Sequence, residues 1–305
     1  MAKVKVRRTH REELPGIVVL RDAAAQSGAR PGKQMLDLDM GADPELDHLI
    51  THDPDGFFTV VERDETLGFA AAHIRSRQCV LSQIWVLPQH RGLGAGEALM
   101  SKVMAFAERS GVRELLSLVP TDGAIQGLLL VHGFEPITPV YHFRLDPESA
   151  APTAASLARL LPAEDATTQV LNQHGKVDLE RIDKMTRNIT RAGDHLFWIK
   201  AMNCRATFVR QGARIAAYGL GGPNQVGPVA GTTQEATLSA LGHALGSAFE
   251  SKPAGAVEVR IPASFRPAVE ALMEAGARIH STSVVYGRDT SLKLDRLAFG
   301  TAALP

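Results

Sequence analysis

The run Val86-Leu87-Pro88-Gln89-His90-Arg91-Gly92-Leu93-Gly94-Ala95-Gly96-Glu97 constrains this 305-residue chain more than any other stretch. A strand-like apolar run, Val80 to Leu87, enters it, and a helical pattern from Glu97 to Arg109 leaves it. Between them glycine recurs at every second position, with Arg91 just ahead. Glycines let the backbone turn tightly and aim several N–H groups at one point. The first turn of the following helix adds orphan donors and the positive end of its dipole. Such a loop is an anion cradle suited to a diphosphate.

Two common diphosphate motifs fit it poorly. A P-loop has Lys-Ser/Thr after its last glycine, where this chain has Glu97. The dinucleotide fingerprint needs its third glycine one place later than Gly96 and follows the first strand of its unit, whereas about three strand-like runs precede this loop. Arg91-x-x-Gly94-x-Gly96 after Val86-Leu87-Pro88 instead resembles the coenzyme A pyrophosphate loop of the GNAT acetyltransferase superfamily. An ordinary glycine-rich turn is the alternative.

The first half reads as β-α-α-β-β-β-α-β-α-β. A short strand holds Val4 and Val6. Thr9 is placed to cap a helix with Glu12 at the capping-box position and Leu14, Ile17, Val18 and Leu20 on its apolar face, broken by Gly28 to Gly32. A second helix spans about Pro44 to Thr51. Strands follow over Phe57–Glu62, Leu67–Arg75 and Cys79–Leu87, with Asp64-Glu65-Thr66 as a hairpin turn. Beyond the loop helix come a strand at Leu115–Val119, a helix from Thr121 to His132 stopped by Gly133, and final strands over Phe134–Leu145. The order matches the GNAT fold, and the resemblance implies that the strand before the loop splays from the strand after it, leaving a slot for the pantetheine arm.

Asp146 to Asp165, rich in alanine, proline, serine and threonine, reads as a linker with one short helical turn. The remainder repeats the element order: a helix at Asp178–Ala192, three strands between Arg205 and Val229, a helix capped by Thr232 with Glu235, a strand at Val257–Ile261, a helix at Ser264–Ala275 with Gly276 after it, and a strand at Ile279–Tyr286. Ala275-Gly276-Ala277-Arg278 stands where His132-Gly133-Phe134-Glu135 stands in the first half. The expected fold is α+β: two tandem GNAT-fold domains, each a mixed, mostly antiparallel sheet flanked by helices. Residues 1–147 form the first, 148–164 a linker and 165–305 the second. The turn Gly227-Pro228-Val229-Ala230-Gly231-Thr232 lacks the arginine and the alternating glycines, and Pro228 removes a donor. The second domain is therefore expected to be degenerate for coenzyme, though it can still wall the acceptor pocket.

The resemblance implies acetyl-CoA as co-substrate, its arm along Trp85, Val86 and Leu87, an amide near Val86 on the thioester carbonyl, and the pyrophosphate on amides from Arg91 through Gly92, Leu93, Gly94, Ala95 and Gly96. Plain strand packing is the alternative for Trp85. The proton-handling positions depart from the family pattern. Many members carry a tyrosine four residues before the glycine of the Gly-Phe pair, and here Leu129 stands there. The asparagine seven residues earlier is Asp122, readable as a helix N-cap or as a catalytic carboxylate. Where some relatives place a glutamate base, this chain has Gln83 and Ser82. His73, His132 and His142 are the histidines placed to substitute, His73 being taken with Asp122 as the catalytic candidates. His48 and His52 share a helix spacing but lack further ligands, so no metal is expected.

Composition narrows the class. Lys plus Arg and Asp plus Glu both number 33, so neither nucleic acid nor an anionic membrane is an expected partner. Hydrophobic content of 45% and charged content of 22% are those of a globular protein, and no apolar run approaches a membrane span. Two isolated cysteines, Cys79 and Cys204, argue against a disulfide framework and for the cytoplasm. The expected activity is acetyl-CoA-dependent N-acetylation of a primary amine on a small molecule, by a monomer or homodimer. The alternatives are a non-catalytic acyl-CoA-binding protein and a protein N-acetyltransferase.

Overall fold

A computed structural model describes residues 4–26, 43–63, 65–161, 166–169, 173–187, 191–251, 255–290 and 292–301. The expected break at Gly28–Gly32 lies outside them, as does Asp64 of the hairpin turn. The chain forms two compact units. Unit 1 comprises Met1–Ser117, Gly123–Glu135 and Gly287–Thr290; unit 2 comprises Leu118–Asp122, Pro136–Tyr286 and Ser291–Pro305. The division expected at residue 147 thus differs from the packing, because the strand before it is built into unit 2.

In unit 1, β1 (Lys5–Arg8), α1 (Leu14–Gln26), α2 (Pro44–His52), β2 (Phe57–Glu62), β3 (Glu65–Arg75), β4 (Gln78–Val86), α3 (Ala95–Arg109), β5 (Glu114–Pro120, of which residues 118–120 count with unit 2) and α4 (Gly123–Val131) follow in order. The sheet runs β1-β2-β3-β4-β5, antiparallel except for the parallel β4–β5 pair. Helix α3 buries Leu99, Met100, Val103, Phe106 and Ala107, a stripe at helical spacing, against β2, β3 and β4. Asp43 caps α2 by accepting from the Leu46 N–H at 2.9 Å and also pairs with the buried Arg21 of α1.

The capping box at the start of the first helix lies one residue later than expected. His10, not Thr9, is the N-cap of a 3-10 turn (Arg11–Glu13) leading into α1, and its N–H donates to Glu13 at 2.7 Å. Thr9 belongs to the sheet: its hydroxyl meets that of Thr59 at 2.6 Å in the interior. The hydrogen bond and charge of Arg7 outweigh burial and hold the Glu13 carboxyl at about 2.

In unit 2 the elements are β6 (Glu135–Leu145), α5 (Pro147–Ala158), β7 (Ala166–Gln169), α6 (Gln173–Arg187), α7 (Ala192–Ala201), β8 (Arg205–Gln211), β9 (Arg214–Gly221), β10 (Gln225–Gly231), α8 (Gln234–Glu250), β11 (Val257–Pro262), α9 (Arg266–Glu274), β12 (Arg278–Arg288) and β13 (Leu297–Ala298). Its sheet runs β12-β6-β11-β10-β9-β8-β7, with β13 on β10. From β7 to β12 the order is that of the first half from β1 to β6. Two members of the repeat, β7 and α7, were not legible as sequence patterns. The strands expected over Phe134–Leu145 are one strand, β6.

The stretch expected as a linker is largely a twelve-residue helix, α5, with Ala150, Ala154 and Leu157 buried. It lies so close to α8 that a Cβ at Gly242 would meet the Ala158 nitrogen at 2.4 Å and the Ala154 oxygen at 2.6 Å. Small residues on both helices permit this approach, which is why the composition looked like a linker. Thr233, not Thr232, caps α8 by accepting from the Ala236 N–H at 3.2 Å. Thr232 donates instead to the Ala216 carbonyl.

The paired stops of α4 and α9 show the internal repeat in backbone geometry. Phe134 N–H donates to Leu129 and Gly133 N–H to Leu130, at 3.1 and 3.0 Å. Ala277 N–H donates to Leu272 and Gly276 N–H to Met273, both at 3.0 Å. Both are Schellman stops, with Gly133 and Gly276 at φ +78° and +77°.

Candidate functional site

The glycine loop lies between β4 and α3, all within unit 1. A 3-10 turn (Pro88–His90) leaves β4, and Gly92 and Gly94 take left-handed φ of +73° and +87°. A Cβ added at either would meet nothing within 4 Å, so their glycine requirement is conformational and the loop faces open space. Gly96 is different: it lies inside α3, where a Cβ would come to 3.4 Å from Leu128. The first intrahelical bond of α3 runs from Ala98 N–H to Gly94 at 3.0 Å. The N–H groups of Ala95, Gly96 and Glu97 therefore lack an acceptor within the helix and sit at its positive end. Leu93 is exposed at the tip.

Arg91 does not extend into that space. Its Nε donates to the Val86 carbonyl at 3.1 Å and its Nη2 to the Ala24 carbonyl of α1 at 3.0 Å. Its own N–H donates to Pro88 at 3.2 Å. The arginine thus ties the loop to the end of β4 and to α1. Ala24 carries no sequence signal for this role, since a backbone carbonyl is available at any residue.

The β4 strand shows the splay that the resemblance implied. Parallel pairing with β5 runs Gln78↔Glu114, Cys79↔Leu115, Val80↔Leu116 and Leu81↔Ser117, and stops there, although β4 continues to Val86. On the other edge the register with β3 steps from Ala71↔Gln83 to Ala72↔Leu81, so Ser82 is an extra, bulged residue. A bulge bends and twists its strand, which turns β4 out of line at the point where the ladder ends. Ser117 donates its hydroxyl to the Leu81 carbonyl at 2.9 Å, closing the last rung.

Orientation at the strand end follows from alternation. Leu87 N–H donates to Leu67 at 2.9 Å, towards β3. Val86, one residue earlier, must direct its N–H and carbonyl to the opposite edge, the one beyond the parallel ladder. Arg91 already uses that carbonyl, and the Val86 N–H is left on the open edge. Trp85, Val86 and Leu87 are half-buried, as a surface for an apolar chain would be. Gln83 Oε1, on the same strand, is shielded from solvent and has no hydrogen-bond partner among the described residues.

The catalytic candidates do not join this group equally. His73 is 2% exposed in β3 opposite Val80, with its Nδ1 2.9 Å from the hydroxyl of the bulged Ser82. Six strand steps lead from Val80 to Val86, roughly 20 Å. Asp122 is exposed and immediately precedes α4, where an N-cap stands. Leu129, at the position of the family tyrosine, is fully buried. His132 pairs with Glu97 of the first turn of α3 at 2.8 Å. In unit 2, His142 lies 2.8 Å from Ser283 and 3.3 Å from Glu258. His52 bonds the His48 carbonyl, and no cluster of three metal-ligating side chains occurs among the described residues. Burial pushes the Cys79 thiol up to about 12, with the Asp53 charge adding, so it is no nucleophile at neutral pH. No helix of the described residues is long and apolar enough to cross a membrane.

An anion cradle, an open strand edge and an apolar wall on one strand–loop–helix unit fit an acyl-coenzyme. Residues 28–134 match the model of the Acetyltransferase (GNAT) family. A comparison with curated proteins found no match. Among solved structures, one from Pyrococcus horikoshii, assigned as an acetyltransferase by inference, superposes with TM-score 0.76 at 14% identity, covering 100% of this chain and 97% of that one. A tandem GNAT protein from the clavulanic acid biosynthesis pathway gives 0.60 at 16% identity, covering 93% and 98%. A GCN5-related N-acetyltransferase from Sphaerobacter thermophilus gives 0.58 at 16% identity, covering 98% of both chains. At these identities the structures establish the fold, α+β with GNAT architecture. Residues 28–134, the region that carries the glycine loop, thus match the Acetyltransferase (GNAT) family, and the whole chain has the tandem GNAT fold.

Proposed function

We propose that the chain transfers an acetyl group from acetyl-CoA to a primary amine on a small molecule, with unit 1 as the catalytic domain and unit 2 as a domain without coenzyme. The carrying observation is the open β4 edge at Val86, continuous with the glycine loop and the first turn of α3. The co-substrate supplies the activated acetyl group. The amides of Gly92 to Gly96 and the α3 dipole would hold its pyrophosphate, and Trp85, Val86 and Leu87 would line its arm. The Val86 N–H is positioned to donate to the carbonyl oxygen of the acetyl group, where negative charge develops. Gln83 Oε1 supports the reading as an acceptor for an N–H of the amine, which orients the lone pair without removing a proton. His73 is then a positioning residue that holds the Ser82 bulge, and the proton leaves through water.

Calorimetric titration of acetyl-CoA into the protein and into Gly94→Glu tests the site. One site per chain is expected, lost when a carboxylate and a side chain enter the cradle. No binding to the parent protein overturns the reading. A screen of small amines for thiol release then tests turnover. The burial of Leu129 favours a second reading, a non-catalytic acyl-CoA-binding protein, and binding without thiol release from any amine or peptide would select it.

A further inference from the structure

Unit 2 contains the same strand pair as the candidate site, but its opening is filled. The strand β10 precedes α8 as β4 precedes α3, and β11 follows as β5 does. Parallel pairing of β10 with β11 covers Gln225↔Glu258 and Val226↔Val259. A register shift against β9 follows at once, between Val226 and Val229. This is the arrangement of unit 1, where the bulge at Ser82 follows the last rung at Leu81.

Beyond that point β13 lies on β10, antiparallel, with Val229↔Ala298 and Ala230↔Leu297. On its other side Phe299 forms an antiparallel bridge with Arg260 of β11, its N–H donating to the Arg260 carbonyl at 2.9 Å. The Arg260 guanidinium returns a bond to the Gly300 carbonyl at 2.5 Å. Upstream, two backbone carbonyls are held by side chains: Leu294 by Ser264 at 3.0 Å and Asp295 by Gln234 at 3.1 Å. Gln234 lies in the first turn of α8, the place that corresponds to the glycine cradle of unit 1. Leu297, Ala298 and Phe299 are 2%, 1% and 0% exposed, and Leu294 is 5% exposed. A Cβ at Gly227 would meet the Phe299 oxygen at 2.1 Å, so the segment runs in backbone contact with the floor of the opening.

We infer that the opening between β10 and β11 is a binding site for an extended peptide of the form Leu-x-x-Leu-Ala-Phe, filled in this chain by its own residues 294–300. Main-chain pairing on both sides supplies affinity and the buried Leu297 and Phe299 supply selectivity, as in strand-addition recognition. The same occupancy closes unit 2 to acyl-coenzyme. That closing step rests on reading the unit 1 loop as a coenzyme site; the peptide site does not.

The test uses the whole chain with a protease site inserted after Thr290. After cleavage the terminal fragment is expected to co-elute with the protein and to exchange with a labelled synthetic peptide of residues 291–305. The Phe299→Arg version of that peptide should bind at least about tenfold more weakly, because a charge would enter a sealed position. Loss of the fragment on cleavage, with no binding of the labelled peptide, overturns the proposal. Hydrogen exchange on the uncut protein provides a second measurement, should the cut protein unfold. The Phe299 amide should be protected to the same degree as those of β10, and free exchange there overturns the proposal. Calorimetry separates the closing step: two coenzyme sites in the intact chain refute it, and no site at all refutes the unit 1 reading while leaving the peptide site standing.

Discussion

The Nε of Arg91 donates to the Val86 carbonyl across 3.1 Å, while Leu87 N–H points the other way to Leu67. The two bonds together set the end of β4: one edge is committed to β3, and the carbonyl of the other edge is held by the loop. An arginine that the sequence offered as part of an anion site is instead the anchor of its backbone.

Arg91→Ala should therefore weaken acetyl-CoA by loosening the loop. Loss of charge-assisted bonds at a partly exposed site suggests ~1.4 kcal/mol, about tenfold in Kd. The distinguishing measurement is calorimetry at low and high salt. An anchoring role predicts the same fold-loss at both, whereas a direct phosphate contact predicts a loss that shrinks as salt rises.

Two glycines of α8 should respond with opposite signs. Gly242→Ala drives a Cβ into the backbone of α5 and should cost about 1–3 kcal/mol. Gly246→Ala meets nothing within 4 Å and should stabilise by about 0.5–1 kcal/mol through helix propensity. Urea denaturation of the two variants checks both, and equal effects would refute the close α5–α8 packing.

Asp183 joins a sealed network in unit 2: it accepts from Tyr218 at 2.9 Å, Arg191 at 3.2 Å and His195 at 2.5 Å. Burial lowers the His195 pKa despite the Asp183 charge, so its imidazole is neutral. Burial also opposes the Arg191 charge, but Tyr218 and Asp183 outweigh it and raise that pKa. Asp183→Asn would remove the carboxylate hydrogen-bonded to the guanidinium and leave it only the charge of the buried Asp194, at a cost of about 3–5 kcal/mol. Adding Arg191→Met should recover much of the loss in the denaturation midpoint.

Glu258 sets an acid limit for unit 2. Burial would raise its carboxyl, but the His142 hydrogen bond and the charges of Arg260, His142 and Arg144 prevail and hold it at about 2. A carboxyl depressed in the folded state contributes stability above its ordinary value of 4.5, lost as pH falls from there towards 2. The contribution is roughly 3 kcal/mol at neutral pH. Glu258→Gln should flatten the decline of thermal stability between those pH values, and an unchanged slope would refute the coupling.

Several features were legible in the residues because they act locally. Alternating glycines require left-handed turns wherever they fold, and Gly133 and Gly276 stop helices by the same backbone geometry. Capping was read one residue early in both halves, at Thr9 and Thr232, because neighbouring polar residues compete for a cap and only the strand geometry gives Thr9 to Thr59 and Thr232 to Ala216. The α5 helix is not legible as a helix in the sequence, because its alanines look like a linker until Gly242 presents a surface shallow enough to receive them.

The sequence by itself determined the glycine loop, most of the repeated order of elements, and a leucine at position 129, where the resemblance implies a tyrosine. These follow from propensity, spacing and residue identity, which need no partner. Tertiary structure alone decided that Arg91 is an anchor, that His73 sits far along the sheet from Val86, and that residues 294–300 fill the opening of unit 2. Each depends on backbone carbonyls and strand edges, groups that every residue carries, so only the folded chain selects which of them meet.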